Sequence, residues 1–120
     1  MTNSSTTAKL AETLVAVLRS HGVERAFGIP GGGSSLSLMS AFENQGIDFV
    51  LTAGETPAAI MAAVTGLLSE SPGVVMTAVG PGAACAVNGM AYAALERAPL
   101  ILLADAAEGG SEAGSGRSRH

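Results

Sequence analysis

The 120-residue sequence has one cysteine, no tryptophan and few charged side chains, and each shortage argues against a class of protein. A single cysteine, Cys85, cannot form an internal disulfide, as is typical of a cytoplasmic chain. Lysine and arginine number only six and the net charge is −4, so a basic surface for nucleic acid is not expected. No apolar run reaches the roughly 18 residues of a membrane helix, and residues 1–9 lack the apolar segment of a secretory signal.

The remaining composition predicts one folded domain with a core of small side chains. Hydrophobic residues make up 48% of the sequence and charged residues 13%, which excludes disorder over most of its length. Aromatic residues make up only 3%, so aliphatic side chains and alanine must fill the core. Helices and strands packed through such side chains approach one another closely.

Apolar runs alternate with stretches of helical periodicity along the chain. The expected helices cover residues 6–21, 36–45, 56–69 and 83–97, and the expected strands cover residues 25–29, 48–52, 74–79 and 100–104. Because the strand segments are continuous apolar runs, they are predicted to be covered on both faces. The expected fold is α/β, a parallel sheet flanked by helices on both faces.

Composition also divides the chain into segments. Residues 1–7 are polar and are predicted to be a flexible N-terminus, and residues 8–105 form the folded domain. Residues 106–120 are predicted to be a disordered tail because the stretch EGGSEAGSGRSRH has no apolar periodicity. A truncation or a shifted reading frame would produce the same abrupt change of composition.

The loops that follow the strands carry the candidate site, since ligands bind beyond the carboxyl ends of parallel strands. These loops, residues 30–35, 53–55 and 80–82, consist mainly of glycine, proline and other small residues. Glu55 is their only charged residue, so a flat ligand could approach the backbone beside one carboxyl group. Two plainer interpretations stay open: the glycines are tight-turn residues, and Glu55 complements a helix dipole.

A dinucleotide-binding, Rossmann-like fragment is an alternative prediction. Residues 80–85 (GPGAAC) begin like the G-x-G-x-x-G motif, and Asp105 follows where a ribose-binding acid would lie. The third glycine is replaced by Cys85, however, and Pro81 removes a backbone donor. Asp105 is otherwise expected to be solvated. The sequence has no P-loop, no nucleophile elbow and no histidine–cysteine cluster, so no metal ligand is assigned.

Three segments in order carry a family resemblance. The first is GVERAFGIPGG at residues 22–32, and the second is Glu55 with AAIMA at residues 58–62. The third is GPG at residues 80–82, followed by NG at residues 88–89 and APLI at residues 98–101. Together they resemble the N-terminal pyrimidine-binding (PYR) domain of thiamine-diphosphate-dependent enzymes, over about residues 8–104. The resemblance is strongest to acetolactate synthase and implies a truncated doubly wound thiamine-diphosphate-binding fold.

This resemblance implies a function on 2-keto acids, by carboligation or decarboxylation, with thiamine diphosphate bound through its pyrimidine end. Glu55 matches the catalytic glutamate that hydrogen-bonds a nitrogen of the aminopyrimidine ring. Pro30, Gly31, Pro81 and Gly82 match the residues that line the cofactor pocket beside it. Departures are Gly54 and Cys85, where relatives usually have histidine and asparagine, and Val64 at a usual glycine position.

The resemblance also implies partners. In the family, Mg²⁺ and the diphosphate are held by a separate domain with a Gly-Asp-Gly motif, which this sequence lacks. Mg²⁺ binding therefore requires that domain or a second chain, in a homo- or hetero-oligomer, and the chain alone is expected to be inactive. Some relatives hold FAD, for which this sequence offers no support. A non-catalytic partner subunit of a two-chain enzyme is the other alternative.

Overall fold

A computed structural model describes residues 4–106 of the chain, in which helices and strands alternate. In chain order the elements are α1 Ser4–Ser20, β1 Arg25–Gly28, α2 Ser34–Gln45, β2 Asp48–Leu51, α3 Glu55–Leu68, β3 Gly73–Thr77, α4 Pro81–Cys85, α5 Val87–Leu95 and β4 Leu100–Ala104. No helix within this part of the chain is both long and apolar enough to cross a membrane.

The strands form one parallel sheet in the order β2-β1-β3-β4. Phe27 in β1 pairs with Val50 on one side and with Val75 on the other. After β1 the chain adds β2 at one edge and then returns to place β3 beside the opposite side of β1. The point between β1 and β3 is therefore the topological switch point, where loops leave toward opposite faces and open a crevice.

Each face of the sheet has its own core, which confirms the predicted fold. Val74 and Met76 pack with α1 and α2 on one face, whereas Val75 packs with α3 on the other. The side chains of a strand alternate between faces, so a strand covered on both must be apolar throughout. All five residues of β3 are buried for this reason.

Small residues bring α3 close to its neighbours, as the composition predicted. The buried residues on its inner side are alanine or glycine: Ala58, Ala59, Ala62, Ala63 and Gly66. A Cβ added at Gly89 of α5 would lie only 2.3 Å from the Cβ of Ala59. A Cβ added at Gly73 of β3 would lie 1.8 Å from the carbonyl oxygen of Ala62. Any side chain at these glycines would push α3 away.

On the other face, side-chain hydrogen bonds tie α1 to α2. Asn44 and Gln45 donate to the two carboxylate oxygens of Glu12, at 2.7 and 3.1 Å. These two bonds lower the pKa of the Glu12 carboxyl. Since the pKa is lower in the folded chain, this contribution to stability is present at neutral pH and is lost as the pH falls through that pKa.

The structure differs from the predicted elements most clearly at three places, besides shifts of one or two residues at other ends. Residues 4–7, assigned to a flexible N-terminus, form the first turn of α1, while residues 107–120 of the predicted tail lie outside the described part. Helix α3 begins at Glu55 rather than at residue 56, because Gly54 is the extended N-cap residue. The single helix predicted over 83–97 is two helices, since a tighter turn at Ala86 separates α4 from α5.

Replacing Gly89 with alanine tests the close contact of α3 with α5. Because the added methyl would overlap the Cβ of Ala59, we expect Gly89→Ala to lower the free energy of unfolding by about 2 kcal/mol despite its better helix propensity. Gly32→Ala is the matched control, since a Cβ there meets nothing within 4 Å. Urea unfolding monitored by circular dichroism measures both, and equal stabilities of the two variants would contradict the packing described.

Candidate functional site

The carboxyl ends of three strands stay hydrogen-bonded up to the points where their loops begin. The N–H of Thr52 donates to the carbonyl of Gly28 at 3.1 Å, and the N–H of Ile29 donates to the carbonyl of Met76 at 3.3 Å. A Cβ at Gly28 would lie 1.9 Å from that same Met76 oxygen. The candidate loops therefore start from a rigid edge, with the β1 and β3 loops side by side.

Ala78 lies between the two loops that flank the crevice. A Cβ at Gly31, after β1, would lie 2.9 Å from the Cβ of Ala78. A Cβ at Gly82, in α4, would lie 3.3 Å from the same atom. Pro30 is half-buried next to Gly31, and Pro81 is exposed as the first residue of α4. The structure thus brings Gly31 and Gly82 together at one crevice, with Pro30 and Pro81 next to them in the chain.

Glu55 reaches this crevice from a third loop. It is the first residue of α3, and Oε1 of its half-buried side chain lies 3.4 Å from the position of a Cβ on Gly82. The hydroxyl of Thr52 donates to the carbonyl of Gly54 at 2.8 Å and so holds the turn before Glu55. The N-terminal end of α3 also favours a negative charge at this place. One carboxyl group therefore faces a gap that exists because residue 82 has no side chain.

Two buried hydroxyls near the crevice were missed by sequence reasoning. Thr77, the last residue of β3, and Ser35, in the first turn of α2, are almost fully buried. Neither hydroxyl has a hydrogen-bond partner among the described residues. The only signal in the sequence was that Thr77 is the one polar residue in the apolar run 74–79. Its burial without a partner depends on packing that the sequence does not reveal.

The sequence predicts Asp105 to be either solvated or the ribose-binding acid of a dinucleotide site, and the structure shows a different environment. Its half-buried carboxylate accepts a hydrogen bond from the hydroxyl of Ser34 at the start of α2. Its other oxygen lies 3.6 Å from the position of a Cβ on Gly33. Asp105 is therefore not simply solvated. It is held by the loop after β1, and this binding weighs against its use as the ribose-binding acid of a dinucleotide site.

Cys85 connects two helices through its backbone carbonyl rather than through its thiol. Its carbonyl accepts a hydrogen bond of 2.5 Å from the hydroxyl of Thr56, which joins α4 to the first turn of α3 beside Glu55. The thiol is free and exposed. Among the described residues, no three His, Cys, Asp or Glu side chains lie together as a metal site would require.

A cavity of about 700 Å³ lies at the opposite edge of the sheet, and none of the predicted site residues lines it. Its lining comes mainly from the loops that precede β1 and β3, within residues 20–25 and 69–72, and also from Thr65 of α3. These loops lie at the amino ends of the strands, away from the switch point. Since ligands of parallel α/β sheets bind beyond the carboxyl ends, the crevice near Glu55 is the stronger candidate despite the size of this cavity.

Residues 8–117 match the family described as thiamine pyrophosphate enzyme, N-terminal TPP binding domain. The chain belongs to this family. The match extends past residue 105 into the segment predicted to be a tail. Thiamine pyrophosphate (TPP) is thiamine diphosphate, so the family agrees with the resemblance drawn from the three segments.

Individual relatives of this TPP-binding domain carry different names. Acetolactate synthase of Bacillus subtilis is 36% identical over 94 residues, which cover 78% of this chain and 16% of that protein. Acetolactate synthase isozyme 3 large subunit of Escherichia coli is 38% identical over 94 residues, with the same coverage. Human 2-hydroxyacyl-CoA lyase 2 is 38% identical over 96 residues, which cover 80% of this chain and 15% of that protein. The chain thus spans about a sixth of the length of these relatives.

The hydrogen bond between Ser34 and Asp105 predicts a stability effect at the loop after β1. Because it is a partly buried bond to a charged group, we expect Ser34→Ala to lower the free energy of unfolding by about 1.5 kcal/mol. Ser40→Ala changes an exposed serine of the same helix and is expected to have an effect within about 0.5 kcal/mol. Chemical denaturation measures both variants, and the same small change in each would show that this bond does not hold the loop.

Proposed function

We propose that the crevice between the carboxyl ends of β1 and β3 binds the aminopyrimidine end of thiamine diphosphate. We further propose that the domain serves an enzyme acting on 2-keto acids, by carboligation or decarboxylation. The observation that carries the proposal is the approach of Glu55 Oε1 to Gly82, at the edge where the loops of Gly31 and Gly82 meet. The family to which the chain belongs supports the identity of the cofactor.

The residue types around the crevice favour a flat, largely apolar ring. Gly31 and Gly82 leave its floor free of side chains, and a methyl group at residue 82 would fill the gap in front of Glu55. Pro30 and Pro81 supply apolar surface on the two loops. Glu55 is the only charged side chain of these loops, so one end of the ring would meet a carboxyl group and the rest would meet small apolar residues.

In this proposal Glu55 holds a proton between its carboxyl oxygen and a nitrogen of the aminopyrimidine ring. The bound cofactor supplies a carbon nucleophile and an electron sink for 2-keto acids. The chain supplies the position of the carboxyl group, through the Thr52 hydrogen bond and the first turn of α3. The ring itself would exclude water from the space above Gly82, which strengthens the hydrogen bond to Glu55.

The diphosphate end requires residues from elsewhere. No lysine or arginine occurs in the three loops, and the described residues contain no metal cluster. A diphosphate carries several negative charges, and proteins hold such groups with Mg²⁺ or basic side chains. The Mg²⁺–diphosphate half is therefore proposed to bind to a further domain or a second chain, within a homo- or hetero-oligomer.

This division predicts that the chain alone does not turn over a 2-keto acid. The purified chain supplied with thiamine diphosphate, Mg²⁺ and pyruvate is expected to release no carbon dioxide above the rate without protein, because nothing in the three loops fixes the diphosphate. A coupled optical assay for pyruvate consumption measures this directly. Turnover that depends on the chain and is abolished by Glu55→Gln would show that the chain holds the whole cofactor by itself.

The role of Glu55 is tested by the affinity of the chain for thiamine diphosphate. Since Glu55→Gln removes a charge-assisted hydrogen bond to the ring, we expect the dissociation constant to rise about 10-fold or more in isothermal titration. Glu70→Gln makes the same change at an exposed residue after α3 and is expected to leave the affinity as it is. Equal affinities of the two variants would remove Glu55 from the site. NAD, titrated in parallel, is expected not to bind.

A further inference from the structure

Thr77 is an unexplained polar residue in the most deeply buried strand. Its side chain is fully buried at the end of β3, after Val74, Val75 and Met76, and its hydroxyl has no hydrogen-bond partner within residues 4–106. A buried hydroxyl without a partner makes a fold less stable than valine of the same shape would. Stability of the free domain therefore does not account for a threonine at this position.

The place of Thr77 brings its hydroxyl-bearing carbon near Glu55. By the alternation along β3, Thr77 belongs to the face on which Val75 packs against α3. Both groups lie close to the position that a Cβ on Gly82 would occupy. The Cβ of Thr77 is 3.9 Å from that position, and Oε1 of Glu55 is 3.4 Å from it. No hydrogen bond to the Glu55 carboxyl is present among the described residues either. A buried donor without an acceptor and a carboxyl group without a donor thus flank the same small gap.

We propose that Thr77 is a positioning residue for Glu55, an inference that rests on the proposed function. When the aminopyrimidine ring covers the crevice, the hydroxyl of Thr77 donates a hydrogen bond to one oxygen of the Glu55 carboxyl. The other oxygen then remains for the ring nitrogen. The Glu55 carboxyl can turn toward the Thr77 hydroxyl because its side chain has several rotatable bonds and because Gly82 places no side-chain atom in the gap.

The same arrangement explains why the hydroxyl has no partner among the described residues of the free domain. The carboxyl of Glu55 is half-buried and can be hydrated while the crevice is open. Once a ring covers it, water is excluded and the carboxyl must find donors within the protein. The Thr77 hydroxyl is buried beside the gap and is available for this purpose. The domain accordingly gives up stability in the free state for affinity in the bound state.

Three variants of the full 120-residue chain test the inference, with thermal unfolding in the absence of ligand and titration with thiamine diphosphate. Thr77→Val removes only the hydroxyl, so we expect the melting temperature to rise by about 5 °C and the dissociation constant to rise about 10-fold. Thr77→Ser keeps the hydroxyl but loses the methyl group, so the melting temperature should fall while the affinity stays within about 2-fold. Thr65→Val makes the same substitution on the exposed side of α3, where the affinity should not change.

The double variant of Thr77 and Glu55 provides the decisive measurement. If the hydroxyl acts through the carboxyl group, Thr77→Val added to Glu55→Gln should weaken binding by less than 2-fold further, since the two losses are not additive. Thr77→Val is thus expected to be more stable but to bind more weakly, whereas Thr77→Ser is expected to be less stable but to bind normally. A purely structural role of Thr77 would produce neither this pattern nor the non-additivity with Glu55→Gln.

The outcomes separate the inference from the function on which it rests. If the unchanged chain and Glu55→Gln differ in affinity while Thr77→Val binds as the unchanged chain does, the positioning role is overturned and the proposed function stands. If Thr77→Val lowers the melting temperature, the hydroxyl has a partner in the free chain and the inference is overturned as well. If the unchanged chain does not bind thiamine diphosphate, the proposed function fails and the inference fails with it.

Discussion

The close approach of α3 to the sheet and to α5 is the constraint on which the rest of the structure depends. Alanine and glycine make it possible, because a Cβ at Gly66 would lie 2.3 Å from the carbonyl oxygen of Pro99 and one at Gly73 would lie 1.8 Å from that of Ala62. Larger side chains at these glycines would therefore push α3 away from the sheet. Its first residue, Glu55, is held beside Gly82 as a consequence of packing along the whole helix.

Most of the fold could be predicted because its signals are local. Continuous apolar runs identified the strands, and glycines ended the helices, as at Gly22 and Gly46, which both have a positive φ. The loops of Gly31 and Gly82 could be assigned to one edge because the parallel topology places every strand-to-helix loop there. The approach of Glu55 to Gly82 also follows from this topology, although its distance does not.

The features that could not be predicted depend on contacts between distant residues. Thr56-Pro57 has the composition of a helix start, yet the extended Gly54 allows the helix to begin one residue earlier, at Glu55. Asp105 and Ser34 are 71 positions apart, and nothing local indicates that they pair. That the Thr77 hydroxyl has no partner among residues 4–106 is likewise a property of packing, since it depends on every group that surrounds the end of β3.

Relatives that share this segment carry different names. Proteins named as acetolactate synthases and as a 2-hydroxyacyl-CoA lyase share this segment at similar identity. This distribution agrees with the proposed role in binding the cofactor. The three loops agree with that role, because they offer one carboxyl group among small, uncharged residues.

The most direct test of this site is the map of backbone amide shifts in the ¹⁵N-labelled chain during titration with thiamine diphosphate. If the crevice binds the aminopyrimidine ring, the largest shifts will occur at Gly31, Glu55 and Gly82, and thiamine without its diphosphate will produce the same pattern. Shifts confined to residues 20–25 and 69–72 would place the ligand in the cavity at the opposite edge and would contradict the site proposed here.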